Sequence, residues 1–121
     1  MARMDGPAGR SPDEFLPLTP ALFHVLLALA DGEKHGYAIL KEVAERTSNG
    51  VVLSTGTLYG IIKRLLADDM IRRSAAGSNE RRQAYRLTPF GRSVALAEVA
   101  RLRDLVLAAE SKKLLVHPSK G

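Results

Sequence analysis

Between Ser54 and Leu66 the chain places five apolar residues, Leu58, Ile61, Ile62, Leu65 and Leu66, at the spacing of one helical face. Positions i, i+3, i+4, i+7 and i+8 line up on an α-helix, so the stretch can bury this stripe and leave the rest of its surface to solvent. That remaining surface carries Ser54, Thr55, Gly56, Thr57, Tyr59 and Gly60 near the start, with Lys63 and Arg64 further along. Hydroxyls and free N–H groups bind phosphates or base edges, glycines permit close approach, and cations meet a backbone of phosphates. A helix so composed suits entry of its N-terminal end into the major groove of double-stranded DNA. The competing reading is a core helix whose polar face is simply solvated.

Charge placement bears on that choice. The segment from Lys63 to Arg92 holds eight cations (Lys63, Arg64, Arg72, Arg73, Arg81, Arg82, Arg86 and Arg92) against Asp68, Asp69 and Glu80, an excess equal to the whole formal net charge of +5. A surplus gathered in one segment is the footprint of a polyanion partner, whereas a solvated face spreads its charge. Nucleic acid is favoured over an anionic membrane, because no stretch pairs a basic helical face with an exposed face of bulky aromatics. At 121 residues, 45% of them hydrophobic, the chain is sized for one domain with an added arm or helix. It has no cysteine, so neither disulfides nor thiolate metal sites are available, which suits a reducing compartment. The longest nearly unbroken apolar run, Ala21 to Ala30, contains His24 and is too short to span a bilayer, and the stretch from Met1 to Pro7 lacks the apolar core of a signal peptide. The expectation is a cytoplasmic protein without a membrane partner.

The order of elements gives the fold class. Thr19-Pro20 reads as a capped helix start, and the helix runs to about Ala30 with Leu22, Val25, Leu26 and Leu29 as its core face, ending at Asp31-Gly32. A second helix begins near Gly36, turns Ile39, Leu40, Val43 and Ala44 inward, and breaks at Ser48-Asn49-Gly50. The third, capped by Ser54, reaches about Asp69. Met70–Arg73 and Arg82–Leu87 read as strands of a short hairpin with Ala76–Glu80 at its tip. Thr88-Pro89 opens a long helix extending to about Lys113. Three helices, a small β-hairpin and a long C-terminal helix make a mainly α chain with the winged helix-turn-helix plan. A final helix of about 25 residues is roughly 37 Å long, more than a head of this size can cover. Its stripe of Leu96, Val99, Leu102, Leu105, Val106 and Ala109 is therefore expected to pair with a second copy in a homodimer. The expected divisions are a flexible N-terminal arm over 1–17, docking near Phe15 and Leu16, a DNA-binding domain over 18–87, a dimerisation helix over 88–114 and a disordered tail over 115–121.

His35-Gly36-Tyr37, Gly56-Thr57-Leu58-Tyr59, Arg64-Leu65, and Tyr85-Arg86-Leu87-Thr88 with Gly91 together resemble the PadR family of bacterial transcriptional regulators over roughly residues 18–92. The Gly-Thr-Leu-Tyr block with a spaced His-Gly-Tyr is specific, while the Arg-Leu-Thr ending is shared with other winged-helix families. The resemblance implies a dimeric DNA-binding repressor of the short subfamily, released by a small-molecule inducer wedged between heads and dimer helices. Where the family pattern has prolines flanking the Gly-Thr-Leu-Tyr block, this chain has Thr55 and Gly60. Leu66 stands where an acidic residue is usual, and Gln83-Ala84-Tyr85 replaces a more aromatic wing.

The expected DNA contacts are Tyr37, Ser54, Thr55, Gly56, Thr57, Tyr59, Lys63, Arg64, Arg81 and Arg82. Tyr37 offers a phenol at a helix start, although a structural tyrosine fits the sequence equally, and the resemblance decides for phosphate. Tyr59 lies just off the apolar stripe, between DNA contact and core edge. Arg81 and Arg82 sit by the wing tip, where a guanidinium reaches phosphate or minor groove at little cost. Arg72 and Arg73 alternate across a strand, so at most one faces DNA. His35 reads as a helix-start residue. Enzymatic readings fare poorly: Gly50 and Gly56 do not fit a phosphate loop, and His24, His35 and His117 have no metal-ligand spacing, so no catalytic residue, metal or cofactor is expected. A winged-helix module that binds a protein instead of DNA is the remaining alternative.

Overall fold

The computed structural model describes residues 9–74 and 83–114. A 3-10 turn, Pro12–Phe15, leads into α1 (Pro20–Ala28), β1 (Lys34–His35), α2 (Gly36–Arg46) and α3 (Thr55–Ala67), followed by β2 (Ile71–Arg73), β3 (Ala84–Leu87) and α4 (Pro89–Ser111). Three starts are set by hydroxyl caps. Thr19 Oγ1 accepts from the Leu22 N–H, Ser54 Oγ from Thr57 and Thr88 Oγ1 from Gly91, at 3.2, 3.0 and 2.8 Å. Each cap satisfies an amide that the helix itself leaves unpaired. Proline at the first position of α1 and α4 lacks that N–H and fixes a helical φ.

The ends are equally regular. Ser48, Asp69 and Lys113 adopt left-handed conformations with φ of 51°, 60° and 62°. The amide after each reaches back to a helix carbonyl: Asn49 to Ala44, Met70 to Leu65 and Leu114 to Ala109, at 2.7, 2.9 and 2.8 Å. This is the Schellman closure of α2, α3 and α4, made without glycine at the left-handed position.

The sheet differs from the expected two-stranded hairpin. It has three antiparallel strands in the order β1-β3-β2, with Lys34 opposite Tyr85 and His35 opposite Ala84. Two residues are too few to display an alternating pattern, so β1 is recognisable only by its pairing. Lys34 fixes its position: its ammonium donates to the Ala28 carbonyl at 2.6 Å, pairs with Asp31, and lies 3.4 Å from Glu42. The hydrogen bond between them holds the Asp31 carboxyl below its usual pKa and raises that of Lys34. The end of α1, β1 and α2 are thus joined at one cation.

Val25, Leu26, Ile39, Val43, Leu58, Leu65, Ile71 and Val94 are buried together, so every helix and the sheet contribute to one core. Within the N-terminal stretch, residues 9–17 carry the turn, and Phe15 meets Phe90 of α4 edge to face at 5.6 Å. Leu18 is buried just beyond. Glu98, on the same side of α4, is 2% exposed and takes a two-pronged hydrogen bond from Arg101, both distances 2.7 Å. The Arg101 guanidinium, helped by the Leu18 amide, holds the Glu98 carboxyl below its usual pKa against the opposing effect of burial.

The tightest approach lies where α4 departs. Thr88 donates its hydroxyl to the Asp69 carbonyl at 2.6 Å and its amide to Met70 at 3.0 Å. Gly91 then passes so close that a Cβ would stand 1.9 Å from the Met70 oxygen. Neither backbone can yield without disturbing these bonds. Gly91→Ala should therefore destabilise the fold by about 3 kcal/mol, at the upper end for overpacking. Urea unfolding followed by circular dichroism measures this; a loss under about 1 kcal/mol would show that the two segments separate easily.

Candidate nucleic-acid interface

Helix α3 is positioned by its buried stripe, Leu58, Ile62 and Leu65, with Ile61 and Leu66 half-buried at the margins. One turn-spaced line then faces away from the protein: Gly56, Gly60 and Lys63. Neither glycine would bring a Cβ within 4 Å of any neighbouring atom. The helix therefore presents bare backbone over more than a turn. Glycine in a helix costs about 1 kcal/mol relative to alanine, and nothing inside the protein requires it at these two places.

The hydroxyls flank that line. Ser54 Oγ accepts the Thr57 amide and donates to Thr57 Oγ1 at 2.9 Å, so Ser54 is committed to capping while Thr57 keeps its own hydroxyl proton for an outside acceptor. Thr55 is exposed and its hydroxyl makes no hydrogen bond among the described residues. Tyr59 is half-buried, and its phenol rests over Gly36, where a Cβ would meet the Tyr59 oxygen at 2.6 Å. The Gly36 position thus gives Tyr59 its seat, a pairing across α2 and α3 that separate motifs do not disclose. Tyr37 stands 75% exposed at the second position of α2. Arg64 leans toward Asp68 at 3.9 Å, on the side of the helix that borders Phe15, Pro17 and Leu22. Arg81, Arg82 and the tip Ala76–Glu80 lie outside the described residues.

Strand register separates the two cations of β2. Arg73 is opposite Tyr85, and both line a cleft of about 330 Å³ with Tyr59, Ile62, Lys63 and Leu66 of α3. Arg72 is opposite Arg86, on the other face of the strand pair, and donates to Asp69 at 3.3 Å. At the base of the wing Gln83 donates its side-chain amide to the Ser74 carbonyl at 2.7 Å, joining the two strands beyond the sheet. Among the described residues no group of three or more histidine, aspartate or glutamate side chains could hold a metal ion.

Along α4, Leu96, Val99, Leu105 and Val106 are 64, 39, 54 and 49% exposed, whereas Leu102 and Ala109 are half-buried. The helix leaves the head beyond Leu102, and Leu107 and Leu114 add to the apolar surface there. No described helix is long and apolar enough to cross a membrane.

Residues 25–97 match the family described as "Transcriptional regulator PadR-like family". Transcriptional regulator Rv3488 of Mycobacterium tuberculosis is 35% identical over 83 residues, covering 68% of this chain and 75% of that protein. A 37.1 kDa transposon protein of Streptomyces fradiae is 41% identical over 70 residues, which cover 58% of this chain and only 19% of the longer protein. Among solved structures, a PadR family transcription regulator from hypervirulent Clostridium difficile superimposes with a TM-score of 0.62 at 25% identity, covering 74% of this chain and 94% of its own. BpsR of Bordetella bronchiseptica, whose DNA binding is regulated by 6-hydroxynicotinic acid, aligns with a TM-score of 0.60 at 28% identity, over 75% of this chain and 64% of its own.

The open surroundings of Gly60 give a direct measurement of what the bare face costs the fold. Gly60→Ala should raise stability by about 1 kcal/mol, since alanine fits and favours helix. A thermal melt that falls instead would mean that the glycine serves the internal packing of α3.

Proposed function

The chain belongs to the PadR-like family of transcriptional regulators, and from that premise we propose that it is a sequence-specific DNA-binding repressor acting as a homodimer on an inverted-repeat operator. The observation that carries the reading is the exposed line of α3, where Gly56 and Gly60 leave the backbone uncovered between the hydroxyls of Thr55 and Thr57 and the ammonium of Lys63. Such a face admits the edges of bases to the backbone of the helix and to short side chains. Thr55, Thr57 and Tyr59 read the groove, while Tyr37, Lys63, Arg64 and the wing arginines Arg81 and Arg82 hold phosphates. Ser54 and Gly56 bring the first turn of the helix against the DNA, Ser54 by capping it and Gly56 by leaving its backbone bare. The protein acts by binding, in the cytoplasm, with no catalytic step.

Pairing of α4 with the same helix of a second copy supplies the assembly. Burying one leucine contributes roughly 1.5–3 kcal/mol, so a stripe of Leu96, Val99, Leu102, Leu105, Val106 and Ala109 sustains a stable dimer. Two-fold symmetry then sets two α3 helices about 34–36 Å apart, or a multiple of that, to meet successive grooves. The ligand control of BpsR supports a small-molecule inducer here also, acting by moving the two heads relative to each other.

A gel shift with fragments of the host genome tests the reading. Binding should weaken steeply with salt, by about 0.9 in logarithmic slope for each phosphate contacted. Thr57→Ala should relax preference at one base pair, where a mismatch ordinarily costs about 1–3 kcal/mol, while general affinity changes less. Absence of a shift at low salt would favour the protein-binding alternative.

For the assembly, Leu102→Asp with Leu105→Asp should give a folded monomer that has lost most operator affinity. Sedimentation reads the mass directly. A monomeric wild-type chain at micromolar concentration would remove both the dimer and the inverted repeat.

A further inference from the structure

We infer that the cleft between α3 and β2 seats one DNA backbone phosphate, shared by Lys63 and Arg73. The inference rests on the chain being a DNA-binding protein and adds to it a contact residue on the strand pair. Both side chains are exposed and line the same cleft, and neither makes a hydrogen bond or ion pair among the described residues. The nearby acids are turned to other cations: Asp68 lies 3.9 Å from Arg64, and Asp69 accepts from Arg72 at 3.3 Å. Two like charges thus line one hollow with no counter-charge from the described residues, an arrangement that an anion between them relieves.

The place of the cleft identifies the anion. Lys63 continues the exposed line of Gly56 and Gly60, so a duplex seated on that line carries a strand of its backbone across the mouth of the hollow. Ile62 and Leu66 supply apolar lining for the sugar beside the phosphate, and the guanidinium fork of Arg73 matches two phosphate oxygens. Arg72, on the opposite face beside Arg86, takes no part. The backbone is thereby gripped from two elements at once, the reading helix and the base of the wing, and the angle between them is fixed on the DNA.

The test uses the full chain and a mixed-sequence duplex of about three helical turns, titrated between about 50 and 200 mM salt. Arg73→Ala should weaken binding roughly tenfold with only a partial fall in salt slope, because Lys63 still meets the phosphate, and the full fall of about 0.9 for each bound chain should come when Lys63→Ala is added. Arg72→Ala should leave both quantities near wild type, and Arg73→Lys should keep the slope while losing part of the affinity. Because one phosphate is shared, Lys63→Ala combined with Arg73→Ala should cost less than the product of the two single losses. Thermal melts of the variants should match wild type, since both side chains are exposed. Equal effects of Arg72→Ala and Arg73→Ala, an unchanged slope in the Lys63→Ala, Arg73→Ala double variant, or fully independent losses at Lys63 and Arg73 would each overturn the shared seat while leaving DNA binding intact. A wild-type chain that binds no duplex even at the lowest salt would overturn the functional reading and the seat with it.

Discussion

The bonds from Thr88 to the carbonyls of Asp69 and Met70 decide how the two halves of the molecule meet. The first of these carbonyls belongs to the left-handed residue that closes α3, and the second leads into β2. Thr88 in turn caps α4 through the Gly91 amide. One residue therefore ties together the end of α3, the root of the wing and the start of α4. Gly91, pressed on the Met70 carbonyl, leaves no slack between them. Any rotation of α4 is felt at α3 through hydrogen-bonded backbone with little freedom of its own, which is a requirement for relaying a change at α4 to the exposed side chains of α3.

Charge is divided with similar economy. Cations near the end of α1 stabilise the architecture: Lys34 donates to Ala28, and Arg92 of α4 donates to Ala30 at 2.8 Å. Both meet carbonyls where the helix dipole is negative. Arg46 bridges Glu42 and His24, and Arg101 neutralises buried Glu98. Around α3 and the strand pair the pattern changes, for the side chains of Lys63, Arg73 and Arg86 have neither a hydrogen bond nor an ion pair among the described residues. Salt screens the pairs of half-buried Lys34 and Arg101 less than those of fully exposed cations. The outward ones respond to it, so architecture and affinity are separated by the same electrostatics.

Helix starts were the most legible features of the sequence, because Thr19-Pro20, Ser54 and Thr88-Pro89 each combine a capping hydroxyl with a neighbour suited to the first turn. The stripe of α3 was legible for the same local reason. What local pattern cannot carry is pairing at a distance. Lys34–His35 is a strand only because Tyr85 and Ala84 lie beside it. Alternation puts Arg72 and Arg73 on opposite faces, but that Arg73 is the one sharing a cleft with Lys63 follows from the register of β2 on β3. Glu98 stands outside the apolar stripe of its helix, and is accommodated internally through Arg101 and the Leu18 amide. Tyr59 similarly sits where it does because Gly36, from another helix, leaves room.

The left-handed closures of α2, α3 and α4 have a consequence for how this molecule can change over generations. Ser48, Asp69 and Lys113 occupy a backbone region that costs an ordinary L-residue about 1 kcal/mol or more. Glycine would remove that strain at the expense of a floppier unfolded chain, and asparagine would lessen it. Each terminus is therefore a reserve of stability that lies outside the exposed line of Gly56, Gly60 and Lys63. The cost that Gly56 and Gly60 impose on α3 could thus be offset at a helix end, without altering the exposed line itself. Imperfect endings of this kind leave room for that line to keep its glycines.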